Sequence, residues 1–210
     1  MSGWSHHQGL AVGLAAENID TDQLIPARFM SAPRAAGYGQ FLLHDLRGPG
    51  FPLDAPEAAG ASILVAGRNF GSGSSREAAV YALVDAGFRV VIAPSFGDIF
   101  AANAVNNGLL PARADTAALL AVLSAALPVT LSVDLTAQTI TGAGGPLGFE
   151  IDPVWKTKLL NGWDDIDMTA SCRAEIAAFA AQRRDAAPWI WDTAERNADR
   201  GTAPQTGRDA

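Results

Sequence analysis

The chain reads as an α/β protein: a mixed, partly parallel sheet flanked by helices, with a C-terminal helical extension. Two patterns point there. Residues 62–107 run strand, helix, strand, helix, which is the βαβ signature of parallel strands. Residues 129–151 instead give short alternating runs with a glycine-rich turn between them, which favours antiparallel pairing. With 210 residues, 49% of them hydrophobic and 18% charged, the chain can bury a sizeable core. One domain is expected over residues 1–192, followed by a polar tail at 193–210 that is expected to be disordered.

Composition excludes several classes of function. A net charge of −7 argues against nucleic-acid binding, which normally needs a basic face. The single cysteine, Cys172, rules out an internal disulfide, a zinc-finger site and a self-contained iron–sulfur cluster. The first residues lack the charged and apolar regions of a signal peptide, and the apolar run at 117–127 is too short to span a bilayer. A soluble, cytoplasmic protein is expected.

Taken in order, residues 9–15 form a first strand that enters the polar loop Glu17-Asn-Ile-Asp20-Thr-Asp22-Gln-Leu-Ile-Pro26. Residues 28–60 are irregular and proline-rich, with one short helical piece at 40–46; a stretch of that length is usually functional or mobile. A buried strand at 62–67 leads into Arg68-Asn-Phe-Gly71-Ser-Gly73-Ser74-Ser75-Arg76-Glu77 and then a helix. Ser74-x-x-Glu77 has capping-box spacing, so that helix is predicted to begin there. Residues 89–93 give another buried strand. Ser95 is placed to cap a helix at 96–106, with Asp98 favourable in its first turn. Asn106-Asn107-Gly108 marks a helix stop before a short segment at 109–111. An alanine- and leucine-rich helix at 115–127 ends at Pro128. Strands at 129–135, 138–141 and 147–151 follow, then a helix at 153–161 closed by Gly162. Asp165 and Asp167 are predicted to lie in a loop before a final helix at 171–184.

The glycine-rich segment fails the common motif tests. A Walker loop needs Lys after its final glycine, and the only lysines are Lys156 and Lys158. A dinucleotide fingerprint needs glycine at position 76, and the hydrolase elbow G-x-S-x-G is absent. His6 and His7, in a mobile N-terminus, and His44, in the irregular stretch, read as structural or solvated. Two readings of residues 71–77 stay open. In one, Ser74 caps the helix, Glu77 closes the box and Arg76 is a solvated charge. In the other, backbone N–H groups, the Ser75 hydroxyl and the fork of Arg76 converge on a carboxylate. Ser74 would then be a base, its alkoxide favoured by the helix N-terminus and nearby positive charge. Arg76 opposes the helix dipole, which suggests a purpose beyond the helix. Asp20 and Asp22 are either solvated or capping acids, or active-site acids. Arg28 and Arg34 are candidate second carboxylate clamps, and Arg34 is the more readily read as merely exposed.

Six stretches carry a family resemblance: Asn18-Ile-Asp-Thr-Asp-Gln-Leu-Ile-Pro26, Gly71-Ser-Gly-Ser-Ser-Arg-Glu77, Val91-Ile-Ala-Pro-Ser-Phe96-Gly-Asp-Ile-Phe100, Asn107-Gly-Leu-Leu-Pro111, Phe149-Glu-Ile-Asp152 and Leu159-Leu-Asn-Gly-Trp-Asp-Asp-Ile166. Over about residues 10–190 the chain resembles the 3-isopropylmalate dehydratase small subunits, which correspond to the swivelling domain of the aconitase superfamily. The resemblance implies a swivelling β/β/α fold and a large-subunit partner, in a heterodimer or larger assembly. It also implies a [4Fe–4S] cluster on three cysteines of that partner, acting as a Lewis acid on the substrate. By motif match, Ser74 is the base that removes the carbon-bound proton, and Asp22 lies near the reacting groups at the closed interface. By the same match Ser75 and Arg76 bind substrate carboxylate; Arg28 stays a candidate clamp from its place in the loop alone. The implied reaction converts 2-isopropylmalate to 3-isopropylmalate through isopropylmaleate, in leucine biosynthesis. The substrate's apolar tail would pack against the loop at 30–45.

The pattern departs from the family at two places. Ala78 stands where a histidine is common, and Tyr81 where a tryptophan is expected. Ala78 cannot hydrogen-bond a substrate, which opens an alternative: a paralogous hydro-lyase acting on a citramalate- or dimethylmalate-like acid. A third reading, of a different class, is a non-catalytic module that only stabilises a large subunit.

Overall fold

Four-residue runs of aliphatic side chains become the centre of the sheet. The computed structural model describes residues 2–191; the tail expected at 193–210 lies outside the described residues. In chain order the strands and helices are β1 (His6–Leu14), α1 (Thr21–Leu24), β2 (Ile63–Ala66), α2 (Glu77–Asp85), β3 (Val90–Ala93), α3 (Asp98–Asn106), β4 (Leu110–Arg113), α4 (Ala117–Ala125), β5 (Val129–Asp134), β6 (Thr139–Thr141), β7 (Leu147–Gly148), α5 (Pro153–Asn161), α6 (Asp165–Ser171) and α7 (Arg173–Ala186). The seven strands lie in the order β4-β3-β2-β1-β5-β6-β7. Neighbours from β1 to β4 pair in parallel, and β1-β5-β6-β7 pair antiparallel. The expected mixed sheet is therefore present, with β1 joining its two halves.

Every residue of β2 and β3 is buried, which is why they read as continuous apolar runs rather than alternating ones. Successive side chains still point to opposite faces. Leu64, Ala66, Val91 and Ala93 share one cluster with Ala79, Val80, Ala82 and Leu83 of α2. Ile63, Val65, Val90 and Ile92 join Leu119 and Leu123 of α4 and Leu159 of α5 on the other face. Each buried aliphatic side chain contributes roughly 2 kcal/mol, more than a helix cap, so the sheet centre carries most of the fold. The irregular stretch closes the first face, through Leu42 and Leu43.

The chain divides into two units, the first ending at Ile166 and the second beginning at Asp167. In the second, α7 exposes Ile176 and Phe179. No helix of the described residues is long and apolar enough to cross a membrane.

Several local expectations are corrected. His6 and His7 belong to β1: His6 Nε2 is 3.0 Å from Asp134 Oδ2, and His7 Nε2 is 2.8 Å from Ser62 Oγ. Both are thus part of the sheet rather than of a loose N-terminus. The helical piece at 40–46 is two 3₁₀ turns, Gly39–Phe41 and His44–Leu46. Ser95 caps no helix: its Oγ accepts from the Asn69 N–H at 2.9 Å, and α3 starts later, after Gly97. Asp165 and Asp167 lie in α6, not in a loop. Lys158, buried in α5, ion-pairs with Asp165 and donates to Asn106 Oδ1 at 2.9 Å, which fixes the start of α6.

Candidate active site

Three loops leave the C-terminal ends of β1, β2 and β3 and knit together, the edge where open parallel sheets usually present their sites. The β2 loop is the centre. Gly71 N–H donates to the Ile19 carbonyl at 2.7 Å, and Thr21 N–H to the Ser72 carbonyl at 2.9 Å, which joins it to the β1 loop. Phe70 N–H donates to the Ser95 carbonyl at 3.0 Å and Gly97 N–H to the Phe70 carbonyl at 2.9 Å, which joins it to the β3 loop. Asn18 and Asn69 both adopt left-handed angles, and Asn69 Nδ2 donates to Asn18 Oδ1 at 2.9 Å across the crossing. Beneath lie Phe70, Phe96 and Phe100, with Phe70 edge-on to Phe100 at 5.4 Å.

Glycine at 71 is required twice. Its φ is +72°, and a Cβ there would sit 2.2 Å from the Phe100 ring. The loop therefore rests directly on the aromatic floor.

Ser74 is not a helix cap, which removes the capping-box reading. Helix α2 begins at Glu77 with Arg76 at its N-cap position and no side-chain capping bond. Between them, Gly73 turns with φ +95° and Arg76 N–H bonds back to the Ser74 carbonyl at 2.8 Å, so Ser74 lies outside the helix. That carbonyl also accepts from Thr21 Oγ1 at 3.0 Å. The backbone of Ser74 is thus held, while its exposed hydroxyl makes no hydrogen bond among the described residues. Ser75 is likewise exposed. The true capping box is at α1: Asp20 accepts from Gln23 N–H at 2.8 Å, and Gln23 Oε1 accepts from Asp20 N–H at 2.9 Å. That box leaves the neighbouring Asp22 facing outward, where its carboxylate pairs with the Arg76 guanidinium.

The site thus brings together Ser74, Ser75, Arg76 and Asp22. Arg28 is held elsewhere: its guanidinium forks onto Asp45, one bond being 2.8 Å, and lies 4.4 Å from the Phe29 ring centre. The Arg28 bond, reinforced by His44, pulls the Asp45 carboxyl down to about 2. Arg34 is also committed, donating to Asp85 at 2.7 and 3.2 Å and lying 4.3 Å over Tyr81. Sequence reasoning missed Thr21, which is buried between the two acids and holds Ser74, although D-x-x-Q at Asp20 was a readable cap signal.

A cleft of about 540 Å³ shares Phe96 with this edge and is lined further by Asp98, Arg113, Glu150, Asp152 and Trp155. Ser74, Ser75, Arg76 and Asp22 do not line it; they sit on a rim open to solvent. Among the described residues, no group of three His, Cys, Asp or Glu side chains could hold a metal ion, and Cys172 is exposed.

The aconitase C-terminal domain family matches residues 1–117, a span that includes this loop. The 3-isopropylmalate dehydratase small subunit of Bacillus licheniformis is 48% identical over 187 residues, covering 84% of this chain and 94% of that protein. The protein of the same description from Psychromonas ingrahamii is 41% identical over 203 residues, covering 91% of this chain and all of its own length. A solved structure of 3-isopropylmalate dehydratase from Methanocaldococcus jannaschii superposes with a TM-score of 0.65 at 26% identity, over 82% of this chain and 98% of that one. A shared sequence and a shared fold lead to one conclusion: this chain belongs to the aconitase C-terminal domain family and, within it, to the 3-isopropylmalate dehydratase small subunits.

Proposed function

We propose that the chain is the small subunit of a two-chain cytoplasmic hydro-lyase that interconverts 2- and 3-isopropylmalate through isopropylmaleate in leucine biosynthesis. The observation that carries this reading is an exposed, unbonded Ser74 hydroxyl two residues from a guanidinium whose carboxylate partner, Asp22, is itself exposed. An open rim of this kind has nothing to exclude water, so a second surface must cover it. The large subunit is that surface.

The partner's [4Fe–4S] cluster, implied by the aconitase resemblance, has no counterpart on this chain, whose one exposed cysteine cannot hold it. This chain's own contribution is acid–base chemistry and carboxylate binding. A substrate carboxylate displaces Asp22 and takes the fork of Arg76, with the Ser75 hydroxyl as a further donor. Ser74, as its alkoxide, accepts the carbon-bound proton; the C–H electron pair becomes the new double bond as the hydroxyl leaves on the partner's side. Rehydration reverses the flow, and the Ser74 hydroxyl returns the proton. Arg28 joins the carboxylate contacts only after releasing Asp45.

The test is anaerobic reconstitution with the large subunit. Ser74→Ala is expected to lower kcat by about 10³-fold with KM little changed; wild-type turnover by that variant would remove Ser74 from the base role. A second reading, turnover of a citramalate- or dimethylmalate-like acid, is favoured by Ala78, a half-buried position in the first turn of α2 with no side-chain donor.

A further inference from the structure

A helix start with no capping side chain needs another anchor, and α2 has one outside its own sequence. Arg76, at its N-cap, has extended backbone angles (φ −116°, ψ 101°) and caps nothing. Glu77 follows immediately. Its Oε1 accepts from Asn107 Nδ2 at 3.0 Å, and the same Asn107 amide donates to the Asn103 carbonyl at 2.9 Å. One amide group therefore ties the first residue of α2 to the last turn of α3. Tyr81 stands one turn along α2; burial first, and the Glu77 carboxylate second, push its phenol pKa up. The Arg34 guanidinium lies over the Tyr81 ring and bonds Asp85 at the far end of α2.

Displacement of Glu77 moves Arg76 by direct chain continuity. It also moves Ser74, because the Arg76 N–H is bonded to the Ser74 carbonyl. We propose that Asn107 is a positioning residue for the reacting loop: by fixing the Glu77 carboxylate it sets where Arg76 and Ser74 stand. This gives a purpose to Asn107, the first residue of the stretch Asn107-Gly-Leu-Leu-Pro111. The proposal rests on the hydro-lyase reading for its effect on turnover, but the tie itself can be measured without substrate.

Asn107→Asp sets two carboxylates against each other. In the complex reconstituted with the large subunit and assayed with isopropylmaleate, it is expected to lower kcat at least about tenfold. Glu77→Gln added to it lets the new amide donate to the new carboxylate, and is expected to return kcat to within about threefold of Glu77→Gln alone. A defect that Glu77→Gln does not rescue would reduce Asn107 to an ordinary helix end and overturn the proposal, as would wild-type kcat in Asn107→Asp. Amide hydrogen exchange on the full chain gives the substrate-free readout. Exchange at residues 74–79 is expected to quicken in Asn107→Asp and to slow again in the double variant. If the wild-type complex turns over no isopropylmalate, the functional reading fails while the exchange result still decides the tie. Should Asn107→Asp not fold, Asn107→Ala, which removes the donor to Glu77 without adding a charge, is expected to speed the same exchange about threefold; unchanged exchange would count against the proposal.

Discussion

Arg76 gains nothing from its own helix, yet its side chain is only 21% exposed against the 54% of its partner Asp22. A pair so open on one side is worth no more than about 1 kcal/mol, so the proposed exchange of Asp22 for a substrate carboxylate costs little. Ser74 is the complementary case, a fixed backbone with an unengaged hydroxyl. The positions of both depend on Gly71 lying flat on the Phe100 ring. Gly71→Ala would place a methyl group 2.2 Å from that ring at a φ of +72°. It is expected to cost about 3 kcal/mol, read as a lower urea midpoint with unchanged slope. An unaltered midpoint would mean that the loop is not seated on the aromatic floor. At this scale the sequence singled out Ser74, Ser75, Arg76 and Asp22, which the loops bring together, but it missed Thr21 and misread how α2 begins. Ser74-x-x-Glu77 and Asp20-x-x-Gln23 carry the same spacing, and only the second forms a box. Spacing does not report that Gly73 turns left-handed, nor that a Thr21 hydroxyl 53 residues away takes the Ser74 carbonyl.

At the scale of elements, β2, β3 and α5 matched their expected bounds closely because each is decided locally, the strands by full burial and α5 by Asp152 at its start and Gly162 at its end. The misread elements are those decided by distant partners. Helix α6 forms where two acidic residues suggested a loop, since Lys158 draws Asp165 into an ion pair. The irregular stretch folds as short 3₁₀ turns linked by Arg28 and Asp45, a pairing across 17 residues that no periodicity carries. That link has a pH signature. The Asp45 carboxyl sits at about 2, below its ordinary 3.8, so the folded state holds this carboxylate more strongly than the unfolded one. Its contribution is complete above the ordinary value and is lost as pH falls through about 2. Asp45→Asn is therefore expected to flatten the acid limb of stability between about pH 4 and pH 2 while leaving the neutral range parallel to wild type. Parallel acid limbs, measured by urea unfolding at each pH, would show that the pair does not persist in solution.

For the whole molecule, the sheet places Ser74, Ser75, Arg76 and Asp22 at an edge, outside the cleft beside Phe96. The cleft of about 540 Å³ beside Phe96 has a different lining, and the proposed chemistry at the exposed serine rim calls for closure by another chain. The isolated chain is expected to show no turnover, and the complex with its large subunit to be active. Substrate choice then rests on how the closed site treats the alkyl group. One methylene in an apolar pocket shifts kcat/KM by roughly 10- to 200-fold, and isopropyl exceeds methyl by two carbons. The complex is therefore expected to prefer isopropylmalate over citramalate by at least about tenfold, measured side by side under anaerobic conditions. A reversed ratio would assign the chain to a methylmalate-type hydro-lyase. In that case Ala78→His tests whether the missing side chain is the cause: movement of the ratio toward isopropylmalate would tie specificity to the first turn of α2, whereas an unmoved ratio would place it elsewhere.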